Sequence, residues 1–570
     1  MLNLQHLPQA GKTPLSGRFS LLEGLALVTF FLLFVGWLVP VHFLPWVSWQ
    51  AEALIFLAVF LAAWVSMVRL PGQGATARSI ELPAIIWPFA VLALLAVVQR
   101  FAGLMTFWGD VLVVWFYAAL CITCLMLGFA AVPGHTEKRG SDSPVMLLAL
   151  ALVVAGVAST VLALAQTFEL WESSPWIARM PDLQRPGGNL SQPNHLATLL
   201  MMALASVVFL YESKKLSALP GALLVFVFGL GLAVTGSRAG MLGFFALLAW
   251  WLAKRSRIGS QTPPWVAAAV AAGFVLLFGL WPRFYALVEM SGAAKLRLLD
   301  SGGRVQVWPQ IVEAILEKPW WGWGIREVAR AQNSVVHAYP FSLPFTYSHN
   351  LVLDLAIWLG LPLAAILVLA GGVWFWRRAV AANQLLPWYG LAVAIPLAVH
   401  SMVEYPFAYA YFLAPAMFLL GVMEATLGVP PVFRLKRPVA VAALFVTSAL
   451  LLWSAVEYFR IEEDFRVLRF EALHIGQTPA GYKKPDVVLL TQLGALLEGG
   501  RITPRPGMSA DELLLARNVA LHYPWTATQN RYALALALNG QPPEAIRQLR
   551  VMRVFYGEKM YQEIKANWQA

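Results

Sequence analysis

Thirteen long apolar segments divide this sequence and leave it few possible architectures. Most have about the 20 apolar residues that a helix needs to cross the hydrocarbon core of a bilayer. The composition agrees, since 59% of the 570 residues are hydrophobic and 12% are charged, against about 25% charged in an average soluble domain. The sequence therefore predicts an all-α, polytopic integral membrane protein. The predicted spans are 21–40, 51–69, 83–99, 109–131, 145–167, 194–211, 218–235, 239–253, 265–281, 350–374, 386–403, 408–428 and 438–456.

Basic residues alternate between the connections that join these segments. The short connections on one side hold only Arg100, Arg179, Arg185 and Arg238. Lys and Arg near span ends favour the cytoplasm. The pattern therefore predicts a cytoplasmic amino terminus and, with an odd number of spans, an external carboxy terminus. The sixteen basic residues on the predicted cytoplasmic side are Lys12, Arg18, Arg69, Arg78, Lys138, Arg139, Lys214, Lys215, Lys254, Arg255, Arg257, Arg377, Arg378, Arg434, Lys436 and Arg437.

Two longer polar regions lie on the predicted outer side. One is a loop that contains the run Trp320-Trp321-Gly322-Trp323-Gly324 and ends at Ser348-His349-Asn350. The other is a tail with fourteen Lys or Arg and twelve Asp or Glu, long enough for a small domain. The predicted organisation is a cytoplasmic segment 1–20, nine spans within 21–281, a large external loop 282–349, four spans within 350–456, and an external helical domain 457–570.

The tail carries helix signals at regular spacing. Asp511–His522 and Trp525–Leu538 have apolar faces at helical periodicity. Asn539-Gly540 is a helix stop and Pro542 begins a helix through Tyr556. Together they resemble one tetratricopeptide-type hairpin without a second copy. Two interpretations stay open, a helical cap on the membrane domain or a docking surface for a protein partner.

Few chemical motifs appear. The sequence has no phosphate-binding loop, no dinucleotide fingerprint and no cluster of metal-ligand residues, so neither a nucleotide nor a metal is predicted. Cys121 and Cys124 have the spacing of a redox pair, but both lie inside an apolar segment, which favours core packing. The polar side chains that stand out lie at the outer ends of predicted spans.

Three arginines on the outer side are candidates for holding an anion. Arg238 and Arg304 follow small residues that leave room for a large anionic group, and Arg185 precedes Pro186-Gly187-Gly188. A guanidinium is well shaped for bidentate binding of phosphate. The alternatives are a snorkelling anchor for Arg238 and ordinary loop arginines for the other two.

Polar residues also begin or end three spans on this side. Ser191 is predicted to cap the helix that starts at Pro193, which leaves Gln192, Asn194 and His195 for a polar cavity. His349 can exchange a proton near neutral pH. Its alternative role is to cap or anchor a helix. Glu404 and Tyr405 end another span, where Glu404 can orient a histidine or pair with an arginine and Tyr405 also suits an interfacial anchor.

These pieces together resemble a known family. The Gly-Ser-Arg-Ala-Gly setting of Arg238, the Arg304-x-x-x-Trp308 spacing, the Trp-Gly-Trp-Gly run and Ser348-His349-Asn350 are similar to the shared core of bacterial O-antigen ligases and O-antigen polymerases. The segment 188–195 and Glu404-Tyr405-Pro406 resemble the protein O-oligosaccharyltransferase branch of the PglL type. The resemblance covers most of residues 20–460.

The resemblance implies a multi-pass protein of the bacterial inner membrane with a periplasmic active site. The donor would be an oligosaccharide on undecaprenyl diphosphate, and the acceptor a Ser or Thr hydroxyl of a pilin or another exported protein. His349 would be the general base, and Arg238, Arg304 and Arg185 would hold the diphosphate. Gln192, Asn194, His195, Glu404 and Tyr405 would support the site or meet the acceptor. No cofactor, metal or nucleic acid is implied.

Two alternative functions stay open at this point. An O-antigen ligase or polymerase would perform the same chemistry on a sugar acceptor, but the tail and the Gln-Pro-Asn-His segment argue against it. A polyprenyl-glycan flippase or transporter would need polar residues along both halves of the membrane path. Here the unusual polar residues gather on the outer side.

Overall fold

The computed structural model describes residues 21–69, 79–132, 144–180, 185–287 and 303–569. Basic residues Lys12, Arg18, Arg78, Lys138 and Arg139 lie outside these ranges. The described chain is mostly helical, as predicted. Its helices are α1 (Leu21–Leu38), α2 (Trp49–Arg69), α3 (Trp87–Phe101), α4 (Trp108–Ala130), α5 (Pro144–Thr167), α6 (Pro193–Glu212), α7 (Ala218–Thr235), α8 (Arg238–Lys254), α9 (Trp265–Leu287), α10 (Arg304–Glu317), α11 (Val328–Val335), α12 (Leu351–Leu359), α13 (Leu361–Ala381), α14 (Leu385–His400), α15 (Ala410–Thr426), α16 (Arg437–Ala472), α17 (Thr491–Gly500), α18 (Ala510–His522), α19 (Thr526–Leu538) and α20 (Pro542–Gln569).

The membrane character is clear from helix length and composition. Nine helices in the described ranges are long and apolar enough to cross a bilayer, and three more are apolar but shorter. Helix α8, over the predicted span 239–253, has 17 residues and belongs to neither group. The described residues thus form a multi-pass membrane protein, while the count of thirteen spans stays a prediction.

Helix α6 is the innermost helix, with 89% of its apolar window buried. It packs against α5, α7, α8 and α14, and the same apolar core continues to α4 and α15. Helices α4 and α15 touch backbone to backbone. A Cβ added at Gly128 would lie 1.9 Å from the Phe418 carbonyl oxygen, and one at Gly421 would lie 2.2 Å from that of Leu125. Small residues permit such close helix contact where burial in lipid supplies little driving force.

The predicted span 350–374 is two helices rather than one. Gly360, with φ 77° and ψ 164°, separates α12 from α13. A Cβ there would lie 2.4 Å from the Trp320 carbonyl oxygen. The tryptophan-rich run occupies this break, since the Trp323 amide donates to the Ile357 carbonyl at 2.7 Å and the Leu361 amide donates to that of Pro319 at 2.7 Å. The loop that precedes α12 is therefore attached to the predicted span at this break.

Two short strands are the exception to the all-α prediction. Strand β1 (Ser79–Leu82) pairs antiparallel with β2 (Phe433–Lys436), with Ser79 opposite Lys436 and Leu82 opposite Phe433. Each strand is four residues long and lies directly beside a helix start. Segments this short carry too little alternation to be recognised in a sequence.

The carboxy-terminal helices match the predicted positions, and their order is α16 to α20. Helix α16 runs unbroken for 36 residues, so the predicted boundary between residues 456 and 457 lies inside it. The Glu457 carboxylate accepts hydrogen bonds from the amides of Val488, Leu489 and Leu490, which fixes the chain before α17. Helix α20 packs on the external loop, where the Ser342 amide donates to the Val554 carbonyl at 3.1 Å.

Candidate functional site

Several helix ends meet on one side of the molecule. Helices α6, α8, α12 and α15 begin there, and α7 and α14 end there. The turn 401–409 between α14 and α15 faces the segment 348–350 and the first residue of α10. Polar side chains from all these elements converge, and most of the candidate residues from the sequence are among them.

The segment around His349 is held in place by its backbone neighbours. Trp308 Nε1 donates to the Ser348 carbonyl at 2.8 Å. Asn350 Nδ2 donates to the Met402 carbonyl at 3.1 Å. Between these anchors His349 has φ of 61°, a left-handed conformation that costs a non-glycine residue on the order of 1–3 kcal/mol. The surrounding contacts thus set the direction of the imidazole.

The helix cap at this position is Asn350 rather than His349. Asn350 Oδ1 accepts hydrogen bonds from the amides of Val352 and Leu353, the first turn of α12. The alternative role of His349 as a cap is therefore wrong. Asp354, on the same helix, accepts a hydrogen bond from the Ser348 amide at 2.7 Å and supports the turn instead of contacting the imidazole.

Glu404 is the centre of the cluster. Its Oε2 lies 2.7 Å from His349 Nδ1, and its Oε1 accepts a hydrogen bond from Arg304. Asn194 Nδ2 lies 3.4 Å from the same Oε1. The side chain of Glu404 is 7% exposed, against 18% for His349 and 21% for Arg304. One buried carboxylate therefore joins the candidate base to a candidate phosphate ligand, and the base and the arginine stay accessible.

The electrostatics keep Glu404 ionised. It lies in the connection between α14 and α15, where burial alone would raise its pKa. The close contact with His349 and the positive charge of Arg304 outweigh burial and lower the pKa of Glu404 to about 2. A carboxylate that stays charged can orient an imidazole and stabilise its protonated form.

The three candidate arginines lie within electrostatic range of one another. Burial, followed by the positive charges of Arg238 and Arg304, lowers the pKa of Arg185. Arg185 Nη1 donates to the Gly236 carbonyl at 2.5 Å, which places it at the connection between α7 and α8. Arg238 is exposed and is the first residue of α8. This concentration of positive charge, at the start of a 17-residue helix, suits an anionic ligand.

The segment before α6 differs in one detail from the prediction. Gln192, not Ser191, caps the helix, because Gln192 Oε1 accepts a hydrogen bond from the His195 amide at 2.8 Å. Ser191 has φ of 54° and ends a short 3₁₀ turn. The Gln192 side chain therefore has a structural role, because its oxygen is used to cap α6.

Asn194 and His195 point to different surroundings. Asn194 Oδ1 accepts a hydrogen bond from Ser237 at 2.6 Å, so Asn194 links Glu404 to the cap of α8. His195 is 4% exposed, and its Nδ1 lies 2.9 Å from the Tyr411 hydroxyl. His195 therefore lies beneath the cluster, among aromatic side chains.

Tyr405 forms part of an aromatic wall beside the imidazole. Its ring meets that of His349 edge-on with centroids 4.9 Å apart, and it stacks on Tyr347 at 4.8 Å with an angle of 9° between the planes. Phe345 covers the imidazole from another side at 4.4 Å. The wall limits the directions from which His349 can be approached.

Two curated proteins are similar to large parts of this chain. A general O-oligosaccharyltransferase of Acinetobacter baylyi is 26% identical over 546 residues, which is 92% of this chain and 91% of the relative. A ComP-specific O-oligosaccharyltransferase of the same organism is 24% identical over 371 residues, or 62% of this chain and 64% of the relative. Three family descriptions also match. Protein glycosylation ligase covers residues 186–211, O-antigen ligase covers 222–368, and the carboxy-terminal part of membrane-bound polymerase virulence factors covers 388–570.

The chain is therefore similar to O-antigen ligases and, among them, to the protein O-oligosaccharyltransferases. These similarities support a membrane-bound enzyme that transfers glycosyl groups. Each matched segment contributes to the cluster, since the first holds Asn194, the second holds Arg238, Arg304 and His349, and the third holds Glu404.

Two supporting residues of the cluster were not predicted from the sequence. The Ser237 hydroxyl caps α8 by accepting a hydrogen bond from the Gly240 amide, and it donates to Asn194. A serine directly before a helix start is a cap signal that could have found it. Phe345 carried no such signal, because its contact with His349 depends on the fold of the loop.

Proposed function

We propose that this enzyme transfers an oligosaccharide as one unit from undecaprenyl diphosphate to Ser or Thr hydroxyls of exported proteins such as pilin. The observation that carries the proposal is the bridge made by Glu404 between His349 and Arg304, beside Arg185 and Arg238. This reaction needs a base for the acceptor hydroxyl and cations for the diphosphate, and both must lie at the same site. The two Acinetobacter relatives, named as O-oligosaccharyltransferases, support the reaction class.

The arginines serve the leaving group in this proposal. When the bond between the sugar C1 and the phosphate oxygen breaks, the electron pair stays on undecaprenyl diphosphate. Cations placed where that charge develops lower the barrier. Arg238 and Arg304 contact the diphosphate directly. Arg185 donates a hydrogen bond to the Gly236 carbonyl and adds positive charge to the site without contacting the diphosphate.

His349 serves the acceptor. A Ser or Thr hydroxyl becomes an effective nucleophile when a base takes its proton, a contribution of typically 10²–10⁴-fold. With Nδ1 directed at Glu404, Nε2 is the nitrogen that accepts this proton. The acceptor oxygen bonds to the sugar C1 as the diphosphate departs. Glu404 balances the charge of the imidazolium that results.

The proposed site faces the periplasm, and the placement of charges supports this orientation. Helix α8 starts at the cluster and ends at Lys254, and α6 starts there and ends before Lys214 and Lys215. The basic residues thus lie at the opposite ends of the helices, and basic ends favour the cytoplasm. A lipid-linked glycan presented at the outer face of the inner membrane would meet the cluster.

The proposal is tested by reconstitution. The purified enzyme is incubated with an undecaprenyl-diphosphate-linked oligosaccharide of known mass and a periplasmic acceptor such as a pilin, and the acceptor is examined by intact-mass spectrometry. A mass increase of one whole glycan is expected, and it should disappear when the modified serine is changed to alanine. Donor translocation across proteoliposomes without any transfer would overturn the proposal in favour of a flippase.

A second candidate is a ligase or polymerase with a sugar acceptor. The matches to O-antigen ligase and to a membrane-bound polymerase carry this possibility. The chemistry at His349 would be the same, with a sugar hydroxyl in place of Ser or Thr. Supplying lipid A-core or a second donor molecule instead of protein, in the same reaction, distinguishes the two by which acceptor gains mass.

A further inference from the structure

The last helix of the chain is folded back on itself to form a cleft. Gly557, with φ 83° and ψ 170°, interrupts α20 and divides it into the arms 542–556 and 558–569. The first arm contributes Ile546, Leu549, Arg550 and Arg553, which helical spacing places on one face. The second contributes Tyr561, Lys565 and Trp568, again on one face. The faces enclose about 540 Å³.

The polar lining of this cleft favours an anion over a neutral ligand. Arg550 and Lys565 form none of the ion pairs seen among the described residues, and Lys565 acts on the Glu558 carboxylate only at longer range. Arg553 pairs with Glu558 and lies 5.7 Å from the Tyr561 ring centre. Trp568 Nε1 already donates to Asn530 at 2.9 Å. The open polar groups are therefore chiefly donors, which match a carboxylate, whereas a neutral sugar needs donors and acceptors together.

The apolar residues of the lining indicate which kind of anionic ligand fits the cleft. Ile546 is 52% exposed and, with Leu549, offers an aliphatic surface between the cations. A volume of this size accommodates a few amino-acid residues. A short peptide that alternates carboxylates with apolar side chains would satisfy both kinds of lining at once. Arg and aromatic residues are also the types that most often dominate protein-binding surfaces.

The cleft is connected to the catalytic loop through the opposite face of the same arm. Val551, Val554 and Phe555 pack on Val336 of the loop. Arg547 Nη2 donates to the Ser334 carbonyl at 3.0 Å. The chain continues from there to His349. A protein held in the cleft would therefore be tethered to the segment that carries the base.

We propose that the cleft between the two arms of α20 binds an acidic, partly apolar segment of the acceptor protein, away from the hydroxyl that is glycosylated. This inference rests on the proposed function. It assigns the selection of the acceptor to a surface separate from the reaction centre. Binding there would raise the effective concentration of the hydroxyl near His349.

The test uses the full-length enzyme in lipid nanodiscs without any donor. Fluorescence anisotropy measures binding of a labelled peptide Leu-Glu-Leu-Glu-Leu and of its counterpart Leu-Gln-Leu-Gln-Leu. The glutamate peptide is expected to bind more tightly, and Lys565→Glu and Arg550→Glu should each weaken it about tenfold, the size of one lost charge-assisted contact. Lys559→Glu is the matched control, because Lys559 is an exposed residue of the same arm that does not line the cleft.

A second measurement links the cleft to catalysis. Lys565→Glu should raise the KM for the acceptor protein while leaving kcat unchanged, and Lys559→Glu should alter neither. Equal binding of both peptides would overturn the proposal. A KM that Lys565→Glu does not change would also overturn it. The same holds if phosphatidylglycerol vesicles bind in a way that depends on Lys565 and the peptide does not compete with them. Because peptide binding is measured without donor, a failure of glycan transfer alone would contradict the proposed function and not the cleft.

Discussion

His349 Nδ1 lies 2.7 Å from Glu404 Oε2, and this contact decides how the imidazole can act. A nitrogen that faces a carboxylate is held as a donor, so the other ring nitrogen becomes the acceptor. The same carboxylate also binds Arg304. Protonation or substitution of His349 therefore also alters the surroundings of Arg304. The catalytic proposal therefore makes predictions about each of the three residues.

His349→Gln should abolish glycan transfer, with a loss of at least about 10² in kcat. Glutamine keeps a hydrogen-bonding side chain but cannot take the proton. Binding of the lipid-linked donor should persist, because the arginines hold the diphosphate. Single-turnover assays and donor binding by the purified variant measure the two effects.

His195→Gln is the matched control for that variant. His195 is buried against Tyr411 and makes no hydrogen bond to Glu404. We expect lower thermal stability with most of the turnover retained. A His349→Gln enzyme that works near the wild-type rate, or a His195→Gln enzyme without activity, would transfer the role of base to another residue.

Glu404→Gln should lower kcat by roughly 10–100-fold, equivalent to about 1.4–2.7 kcal/mol. The amide is nearly the same size as the carboxylate but cannot balance an imidazolium. Glu404→Asp keeps the negative charge on a shorter side chain. It should recover part of the rate if the charge matters more than the side-chain length. Kinetics of all three forms at saturating donor give the comparison, and equal rates for Glu404→Gln and wild type would refute the orienting role.

The lowered pKa of Glu404 also predicts how stability depends on pH. A carboxyl whose pKa falls from 4.5 to about 2 on folding stabilises the folded state fully above its unfolded pKa, and this contribution is lost as the pH falls toward 2. The full contribution is on the order of 3 kcal/mol. The difference in Tm between wild type and Glu404→Gln should therefore be constant above about pH 5.5 and shrink below pH 4.5. A difference that grows on acidification would contradict the pairing.

Helix positions were predictable because apolar length and periodicity are local properties. The break at Gly360 was not, since it depends on the Trp320 carbonyl approaching from the external loop. The residues of the cluster could be identified by their chemical type and by the side of the membrane that the charge pattern predicts for them. Their pairing could not be, because Glu404 meets His349 and Arg304 only after segments 55 and 100 residues apart have folded together.

The topology gives a prediction that needs no enzyme assay. Alkaline phosphatase fused in the connection between α16 and α17, after residue 480, should be active, since this enzyme matures only outside the cytoplasm. A fusion in the connection between α8 and α9, after Arg257, should be inactive. The reverse pattern would place His349 in the cytoplasm.

Arg238→Ala and Arg304→Ala should each lose most glycan transfer, but for different reasons. Arg238 is exposed and is proposed to bind the diphosphate, so its loss should weaken donor binding while the pH profile of kcat is unchanged. Arg304 also neutralises Glu404, so its loss should weaken donor binding and shift that profile.

Lysine substitutions and a distant arginine complete this test. Arg238→Lys should recover activity only in part, since a point charge cannot reproduce the planar, bidentate guanidinium. Arg283→Ala is the control, because Arg283 is an exposed arginine at the end of α9 and should not matter. Full activity in both Arg238→Ala and Arg304→Ala would leave the diphosphate without its proposed ligands. A shifted pH profile in Arg238→Ala would show that this arginine, too, acts on the His349–Glu404 pair.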